Sequence, residues 1–447
     1  MFKRLKDPKS PEELIRRGDD FRIGDKEEQS FEEALSFYRK ASYKGSAVAN
    51  YLIGTMYEAG HGVAQSYKEA YKWYERSYEM GYGPAETAIA FLLESGLGVK
   101  RSRGMAIEHY QNSSEGRDYR AINNLGLIYR DRNGSEHNDH GAVVLFQKGN
   151  LDQSYPCTAN LALMYEKGLD VKRNCETAAS LFKKAARQGS LTSKRALAEM
   201  YSFGLGLPRS SRIATHLYLE AARWGDPEAI AFLKGEDVEV PSYSFSPAKV
   251  TVPRDMLALG LRYLEGSTIG LSVPSAMHWI ESAARAGSTT AMFVLGQMYE
   301  NGYGVERSPN VAMRWYRWGA EKGNGACAYN LAFLYEGIHT EDADKLAFSY
   351  YRQAAESDCD DDVKSDAYYS LGLFLSEGIG TERSETGALE AFIESADMGN
   401  ANAQYLLGRM LLEGRGTPVS EVTAIKYLRM AADQGDDRAE EILASLG

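Results

Sequence analysis

The chain has 447 residues, about three times the length of a typical single domain. It is 44% hydrophobic and 25% charged, with 43 glycines and only 12 prolines, which is the composition of a folded protein. Its 51 basic and 62 acidic residues give a net charge of -11. This charge argues against nucleic acid as a partner, because nucleic-acid binders carry a basic surface.

The N-terminal residues 1–8 include three basic residues, but no apolar stretch follows them. No segment of the chain approaches the roughly 18 apolar residues that a membrane helix needs. We therefore predict no signal peptide and no membrane insertion. The few cysteines lack CxxC spacing and suit a reducing compartment, so we predict a cytoplasmic protein. They are Cys157, Cys175, Cys327 and Cys359.

A repeated pattern runs along almost the whole chain. Residues 51–63 return in recognisable form as residues 293–305. A small residue marks each copy and follows Leu or Ile in every copy but the first, and successive marks are 36 residues apart, except for one interval of 62 and one of 40. Such a fixed period is the signature of a repeat architecture. The marks are Gly18, Gly54, Ala90, Gly126, Ala162, Ala198, Gly260, Gly296, Ala332, Gly372 and Gly408.

Each copy predicts two antiparallel helices. Apolar residues recur three and four positions apart, first around the mark and again about sixteen residues later, as one helical face requires. Glycines such as Gly60 and Gly81 follow the two patterns and end the helices. Short helices with one apolar stripe must stack on their neighbours. We therefore predict an all-α fold, a right-handed α-solenoid of about eleven 36-residue hairpins.

These residues resemble a known family. The pattern L-G-x-x-Y-x-x-G-x-G-V, followed by A-x-x-W-Y-x-x-A-A-x-x-G, is similar to the Sel-one-like repeat (SLR), a relative of the tetratricopeptide repeat (TPR). The resemblance covers roughly residues 11–447 and implies a TPR-like solenoid. It also implies an adaptor that holds protein partners, mostly in bacteria. Some secreted relatives have disulfides across each hairpin, which raises a Cys327–Cys359 pair as an alternative to the free thiols that we favour.

One interruption divides the repeats. Prolines at 241, 247 and 253 forbid helix after Gly235, so we predict a linker over 235–253. It separates an N-terminal half, 1–234, of six hairpins from a C-terminal half, 254–447, of five hairpins and a capping helix. Residues 1–234 hold 34 basic and 30 acidic residues, whereas 235–447 hold 17 and 32. The excess of acidic residues in the second half indicates either that a basic partner binds there or that these residues simply keep the solenoid soluble.

A candidate partner-binding surface follows from the first helix of each hairpin, which lines the concave face in TPR-like proteins. The position three before the mark is aromatic in four successive copies, and aromatic rings make good anchors for a peptide or helix. Packing of these rings against neighbouring hairpins is the alternative. The predicted stripe consists of Phe293, Tyr329, Tyr369 and Tyr405, with Leu261, Phe333, Leu373, Glu300 and Glu336 beside it.

A second candidate is a polar clamp. Some TPR proteins use Asn on the first helix, with Lys or Arg nearby, to bind a peptide carboxylate or main chain. The alternative is that these amides satisfy local main-chain groups. The clamp residues would be Asn124, Asn160, Lys194, Arg195 and Asn330.

The sequence offers no catalytic constellation, no metal site and no cofactor motif, since no nucleophile lies beside a base and the Gly-x-Gly pairs follow helices rather than strands. We therefore predict an adaptor whose partner is a protein or peptide of basic or amphipathic character, and no enzyme. The alternative is a dedicated inhibitor or immunity protein for one cognate enzyme or toxin. The sequence does not give the oligomeric state.

Overall fold

A computed structural model describes residues 10–24, 27–234, 250–266 and 269–446 of the chain. All regular structure in these ranges is α-helical. The helices are α1 (Pro11–Ile23), α2 (Phe31–Tyr43), α3 (Ala47–Ala59), α4 (Tyr67–Glu79), α5 (Gly83–Ser95), α6 (Arg103–Glu115), α7 (Tyr119–Arg130), α8 (Asp139–Leu151), α9 (Tyr155–Lys167), α10 (Cys175–Arg187), α11 (Leu191–Phe203), α12 (Ser211–Arg223), α13 (Pro227–Lys234), α14 (Pro253–Glu265), α15 (Val273–Arg285), α16 (Thr289–Asn301), α17 (Pro309–Glu321), α18 (Gly325–Glu336), α19 (Glu341–Glu356), α20 (Asp361–Glu377), α21 (Glu385–Asp397), α22 (Ala401–Glu413), α23 (Glu421–Ala432) and α24 (Asp437–Leu446).

Local sequence signals fix the ends of these helices. Before α4, the Ser66 hydroxyl accepts a hydrogen bond from the Glu69 N–H over 3.3 Å, which satisfies one of the donors left over at a helix start. After α3, Gly60 takes a left-handed conformation with φ of 76° and donates to the Met56 carbonyl over 2.9 Å. Glycine suits this position because it has no Cβ to clash.

Consecutive helices pair into hairpins, from α1–α2 to α11–α12, at α14–α15, and again from α18–α19 to α22–α23. The small mark lies at the centre of each pair. A Cβ at Gly54 would overlap the ring of Tyr74, which is fully buried between α3 and α4. Close packing of this kind leaves no room for a larger side chain. The prediction of an all-α solenoid of repeated hairpins is therefore confirmed.

A second recurrent feature ties the two helices of a hairpin together. A buried tyrosine of the second helix donates its hydroxyl to a carboxylate near the end of the first. Tyr74 donates to Glu58 over 2.7 Å and Tyr351 to Glu336 over 2.6 Å. A buried hydroxyl needs such a partner, and a carboxylate makes the bond stronger. Burial and the adjacent Glu336 raise the pKa of Tyr351.

The chain divides into two compact units. Among the described residues, the first unit comprises those up to 294 together with 298–311, and the second comprises 295–297 and 312–446. Helices α14 and α15 therefore belong to the first unit, although they lie beyond the predicted linker. Residues 235–249 of that linker lie outside the described residues. The division at 235–253 remains a prediction.

All four cysteines are present as thiols rather than disulfides. Cys157 and Cys327 are buried, and burial raises the pKa of Cys157 to about 12 and that of Cys327 well above its usual value. Because the thiolate is the reactive form, we expect iodoacetamide to label the half-buried Cys175 and Cys359 of the native protein first. Mass spectrometry of the time course would check this order. Fast native labelling of Cys157, matching that in urea, would contradict it.

Candidate partner-binding site

Three of the predicted stripe aromatics occupy equivalent places in the second compact unit. Tyr329, Tyr369 and Tyr405 lie on α18, α20 and α22, and all three are half-buried. The ring of Tyr329 lies 5.6 Å from that of Tyr351, so one side packs on its own hairpin. The Arg438 guanidinium lies 4.3 Å from the ring centroid of Tyr405. The ring of Tyr369 lies 6.2 Å from that of Phe392. Each of the three rings therefore contacts neighbouring side chains while part of its surface stays accessible.

The side chains beside these rings differ in accessibility. Phe333 is 57% exposed on α18, an unusual position for a phenylalanine. Leu373 is half-buried and packs on the core of the last two hairpins. Glu336 accepts a hydrogen bond from the Tyr351 hydroxyl. Burial, followed by the charges of Asp366 and Glu336, raises the pKa of Tyr329 to about 12. We call Tyr329, Phe333, Tyr369, Leu373 and Tyr405 the aromatic row.

The remaining stripe residues lie in the first compact unit and are less accessible. Leu261 is 6% exposed and Phe293 is 7% exposed. Glu300 is half-buried, and its carbonyl accepts a hydrogen bond from Arg307 over 2.9 Å. Leu261 and Phe293 thus pack inside the fold, as the alternative considered for the stripe requires, and offer no surface to a partner.

The predicted clamp asparagines bind main chain, and that main chain is the protein's own. Asn124 is fully buried, accepts from the Leu271 N–H over 2.7 Å and donates to the Leu271 carbonyl over 3.4 Å. Asn160 and Asn123 both donate to the Gly266 carbonyl, over 3.3 and 2.9 Å. These amides therefore hold the two ends of the connection between α14 and α15.

The other clamp residues are placed apart from this ladder of amides. Lys194 pairs with Glu220 over 2.7 Å, and Arg195 pairs with Glu228. Asn330 is half-buried on α18 of the second unit. The structure therefore brings together Asn124 and Asn160 but engages Lys194 and Arg195 with acidic residues of the following helices.

A cavity of about 920 Å³ opens in the first compact unit. This volume is in the range of small-molecule and peptide sites. Its walls come from α3, from the starts of α5, α7 and α15, and from the end of α16. Tyr51, Tyr82, Pro84, Arg120, Pro274 and Met277 are among the lining residues.

Arg120 is a half-buried charge in the wall of this cavity. It donates to the Tyr51 hydroxyl over 2.7 Å and to Asp118 over 2.7 Å. Burial works against the charged form, but Tyr51 and Asp118 outweigh it and hold the pKa of Arg120 well above its usual value. The guanidinium is thus a fixed cation with its partners in place, which makes it a structural support of the cavity wall.

Within the residues that the structure describes, no three His, Cys, Asp or Glu side chains converge as a metal site would require. None of the described helices is long and apolar enough to span a bilayer.

Comparison with known families gives a direct result. The Sel1 repeat profile matches eleven segments of the chain: 22–46, 47–82, 83–118, 120–150, 156–190, 193–226, 253–288, 289–324, 325–359, 365–400 and 401–436. The chain belongs to the Sel1 repeat family. Sel1 and TPR-like repeats generally mediate protein–protein interaction, and scaffolds of this type are typically non-enzymatic.

Solved Sel1-type structures resemble the chain as well. One is c5321, a protective antigen of uropathogenic Escherichia coli with an SLR fold, at 23% identity over 97% of this chain and 86% of that one, with a TM-score of 0.43. Another is a Sel1 repeat protein from Oxalobacter formigenes, at 27% identity over 48% and 88%, with a TM-score of 0.45. The immunity protein Pa5087 from Pseudomonas aeruginosa is 14% identical over 48% and 84%, with a TM-score of 0.35. A search of curated proteins finds no significant match.

Sequence reasoning missed several buried residues between the Sel1 repeats. Glu58 accepts from the Ser275 hydroxyl over 2.8 Å, and His61 lies 2.8 Å from Glu281. Glu58 occupies the position four after its mark, which is also the position of Glu336. A carboxylate repeated at that position, with a tyrosine fifteen or sixteen residues later, was the signal available for Glu58. No comparable signal pointed to His61.

Proposed function

We propose that this Sel1 repeat protein is a non-enzymatic adaptor that binds a protein partner on the aromatic row of its second compact unit. The observation that carries the proposal is the row itself, with Phe333 largely exposed beside three half-buried tyrosines. Aromatic side chains supply much contact area at little entropic cost and dominate many interfaces. The cytoplasmic location predicted from the sequence remains part of this proposal.

The partner's chemistry follows from the charge of the unit. Residues 312–447 carry 12 Lys and Arg against 24 Asp and Glu, a net charge of -12. A depression of about 430 Å³ between α20 and α22 is lined by Leu373 and Leu406, with Glu377 but also Arg383, Arg409 and Arg415 around it. An amphipathic helix or peptide would place apolar side chains on the row, and the net negative charge of the unit favours basic side chains elsewhere on that partner. The acidic field would also speed its approach.

The test compares three proteins as baits in lysate of the source cell. The first is wild type and the second is Phe333→Ala/Tyr369→Ala/Tyr405→Ala. The third is Val419→Ala/Val422→Ala, a control that removes exposed apolar surface elsewhere in the same unit. We expect a partner that wild type and control retain, and whose Kd for the triple variant is at least about thirtyfold higher. Equal affinity of all three proteins for every retained partner would refute the proposed surface.

The inhibitor or immunity role remains a sequence-based prediction, since no contact or cavity of the described residues favours it.

If the adaptor proposal is correct, purified partner should bind at low salt and lose affinity as salt is raised, because the attraction between the acidic unit and a basic partner is screened. Salt-independent binding on the same row would support the proposed surface but contradict the proposed basic character of the partner.

A further inference from the structure

The α14–α15 hairpin is bound by the first helices of hairpins that precede it by up to about two hundred residues. Within the first compact unit, it contacts α3, α7, α9 and the start of α11. We call this set of contacts the seam. Its members on the hairpin are Glu265, Gly266, Leu271, Ser272, Ser275 and Glu281, and their partners are Glu58, His61, Asn123, Asn124, Asn160, Ser190 and Leu191.

The hydrogen bonds of the seam join amides, hydroxyls, carboxylates and one imidazole. Apolar contacts lie beside them, since the ring of Phe91 lies 5.9 Å from that of Tyr263 and Leu271 is buried. Water can replace polar partners when such an interface opens, so the cost of exposing these groups is lower than for an apolar interface. Asn124 illustrates this, because both of its bonds to Leu271 could be exchanged for bonds to water.

Glu265, the last residue of α14, is a buried carboxylate of the seam. It is 7% exposed, accepts from the Leu191 N–H over 2.7 Å and accepts from the Ser190 hydroxyl over 3.0 Å. Burial raises its pKa to about 7, against the effect of those two bonds, and the Asp226 carboxylate adds to the rise. From α9, Tyr155 also faces this region and donates to the adjoining Leu264 carbonyl over 3.1 Å.

The other titratable groups of the seam are arranged around α15. His61 faces Glu281, which also accepts from Arg285 over 2.9 Å. Burial raises the pKa of Glu281, but its interactions with His61 and other neighbours outweigh burial and lower it. The Glu281 carboxylate therefore stays ionised near neutral pH. Burial lowers the pKa of His278, which lies 3.0 Å from the Ala59 carbonyl. Burial therefore favours the neutral form of the His278 imidazole.

We propose that the α14–α15 hairpin can be displaced from the polar surface formed by its seam partners, and that ionisation of Glu265 as the pH rises through neutrality favours its release. Glu265 takes up a proton more readily in the closed seam than in water. The closed form is therefore fully stabilised below the ordinary pKa of 4.5 and loses that stabilisation as pH rises through about 7. Release would expose the asparagine amides, which recognise main chain, to an extended segment of a partner.

The test is amide hydrogen exchange of the full-length protein at pH 6 and pH 8, with rates corrected for the intrinsic pH dependence of exchange. The reporter is the segment 269–285, which includes the Leu271 N–H bound by Asn124. If Glu265 regains its ordinary pKa on opening, the open population should be about tenfold larger at pH 8 than at pH 6. Equal protection at the two pH values would overturn the proposal.

Variants assign the response to one group. Glu265→Gln should lose most of the tenfold change, whereas Glu390→Gln, an exposed position on α21, should keep it. His61→Gln should also keep it, and a response lost in that variant alone would overturn the role of Glu265. If Glu265→Gln does not fold, Asp226→Asn serves instead, because an asparagine can still cap α13 while the repulsion on Glu265 is removed. The pH at the midpoint of the exchange response should be lower in Asp226→Asn than in wild type, and an unchanged or higher midpoint pH would count against the proposal.

Discussion

Glu58→Leu is expected to lower the free energy of unfolding by about 3 kcal/mol or more, because leucine leaves three buried donors without an acceptor. Glu58 is 1% exposed. Its carboxylate accepts from Tyr74 within its own hairpin and from Ser272 and Ser275 across the seam. The measurement is the urea midpoint followed by tryptophan fluorescence, with circular dichroism as a second probe.

The matched control for that substitution is Glu75→Leu. Glu75 is exposed on α4, one helix away, and a change of the same chemistry there should move the midpoint by the equivalent of about 0.5 kcal/mol at most. Comparable midpoints for the two variants would show that the bonds of Glu58 contribute little to stability. A large loss confined to Glu58→Leu would support the hydrogen bonding described here.

Gly98→Ala is expected to cost about 3 kcal/mol, for two separate reasons. Gly98 has φ of 70°, which disfavours any residue with a Cβ. In addition, a Cβ there would overlap main-chain atoms of Tyr67 and Lys68 where α4 begins. The second glycine of five Gly-x-Gly loops approaches the start of an earlier helix in this way, namely Gly62, Gly98, Gly206, Gly380 and Gly416.

The variant Gly81→Ala distinguishes the cost of the backbone conformation from the cost of the steric overlap. Gly81 has φ of 85°, yet a Cβ there would have no atom within 4 Å. We expect this variant to lose only the conformational part, about 1 kcal/mol. Urea midpoints of both variants beside wild type would measure the difference, and a Gly98→Ala midpoint no lower than that of Gly81→Ala would argue against close approach of the loop and α4.

The hairpins could be predicted from sequence because their determinants are local. The mark, the tyrosine on the second helix and the terminal glycine all lie within one 36-residue period, as Gly54, Tyr74 and Gly60 show. The same information fixes which helices pair, since short connections leave few alternatives. The eleven repeats and their family followed directly from it.

The accessibility of the stripe could not be predicted in the same way. Phe293 and Tyr329 both lie three positions before a mark, yet Phe293 is 7% exposed whereas Tyr329 is half-buried. This difference in exposure depends on which other helices pack against each position, and the repeat pattern gives no information about contacts beyond the next hairpin. The pairing of Asn124 with Leu271 is unpredictable for the same reason, since 147 positions separate them.

That separation has a consequence for the order of folding. Hairpins close loops of about twenty residues, whereas the bond between Asn124 and Leu271 requires the chain between them to be organised first. The first unit should therefore assemble its hairpins rapidly and join the seam in a later, slower step. Refolding experiments on this protein should show helix formation preceding protection of the Leu271 amide, with the delay set by the length of chain to be ordered.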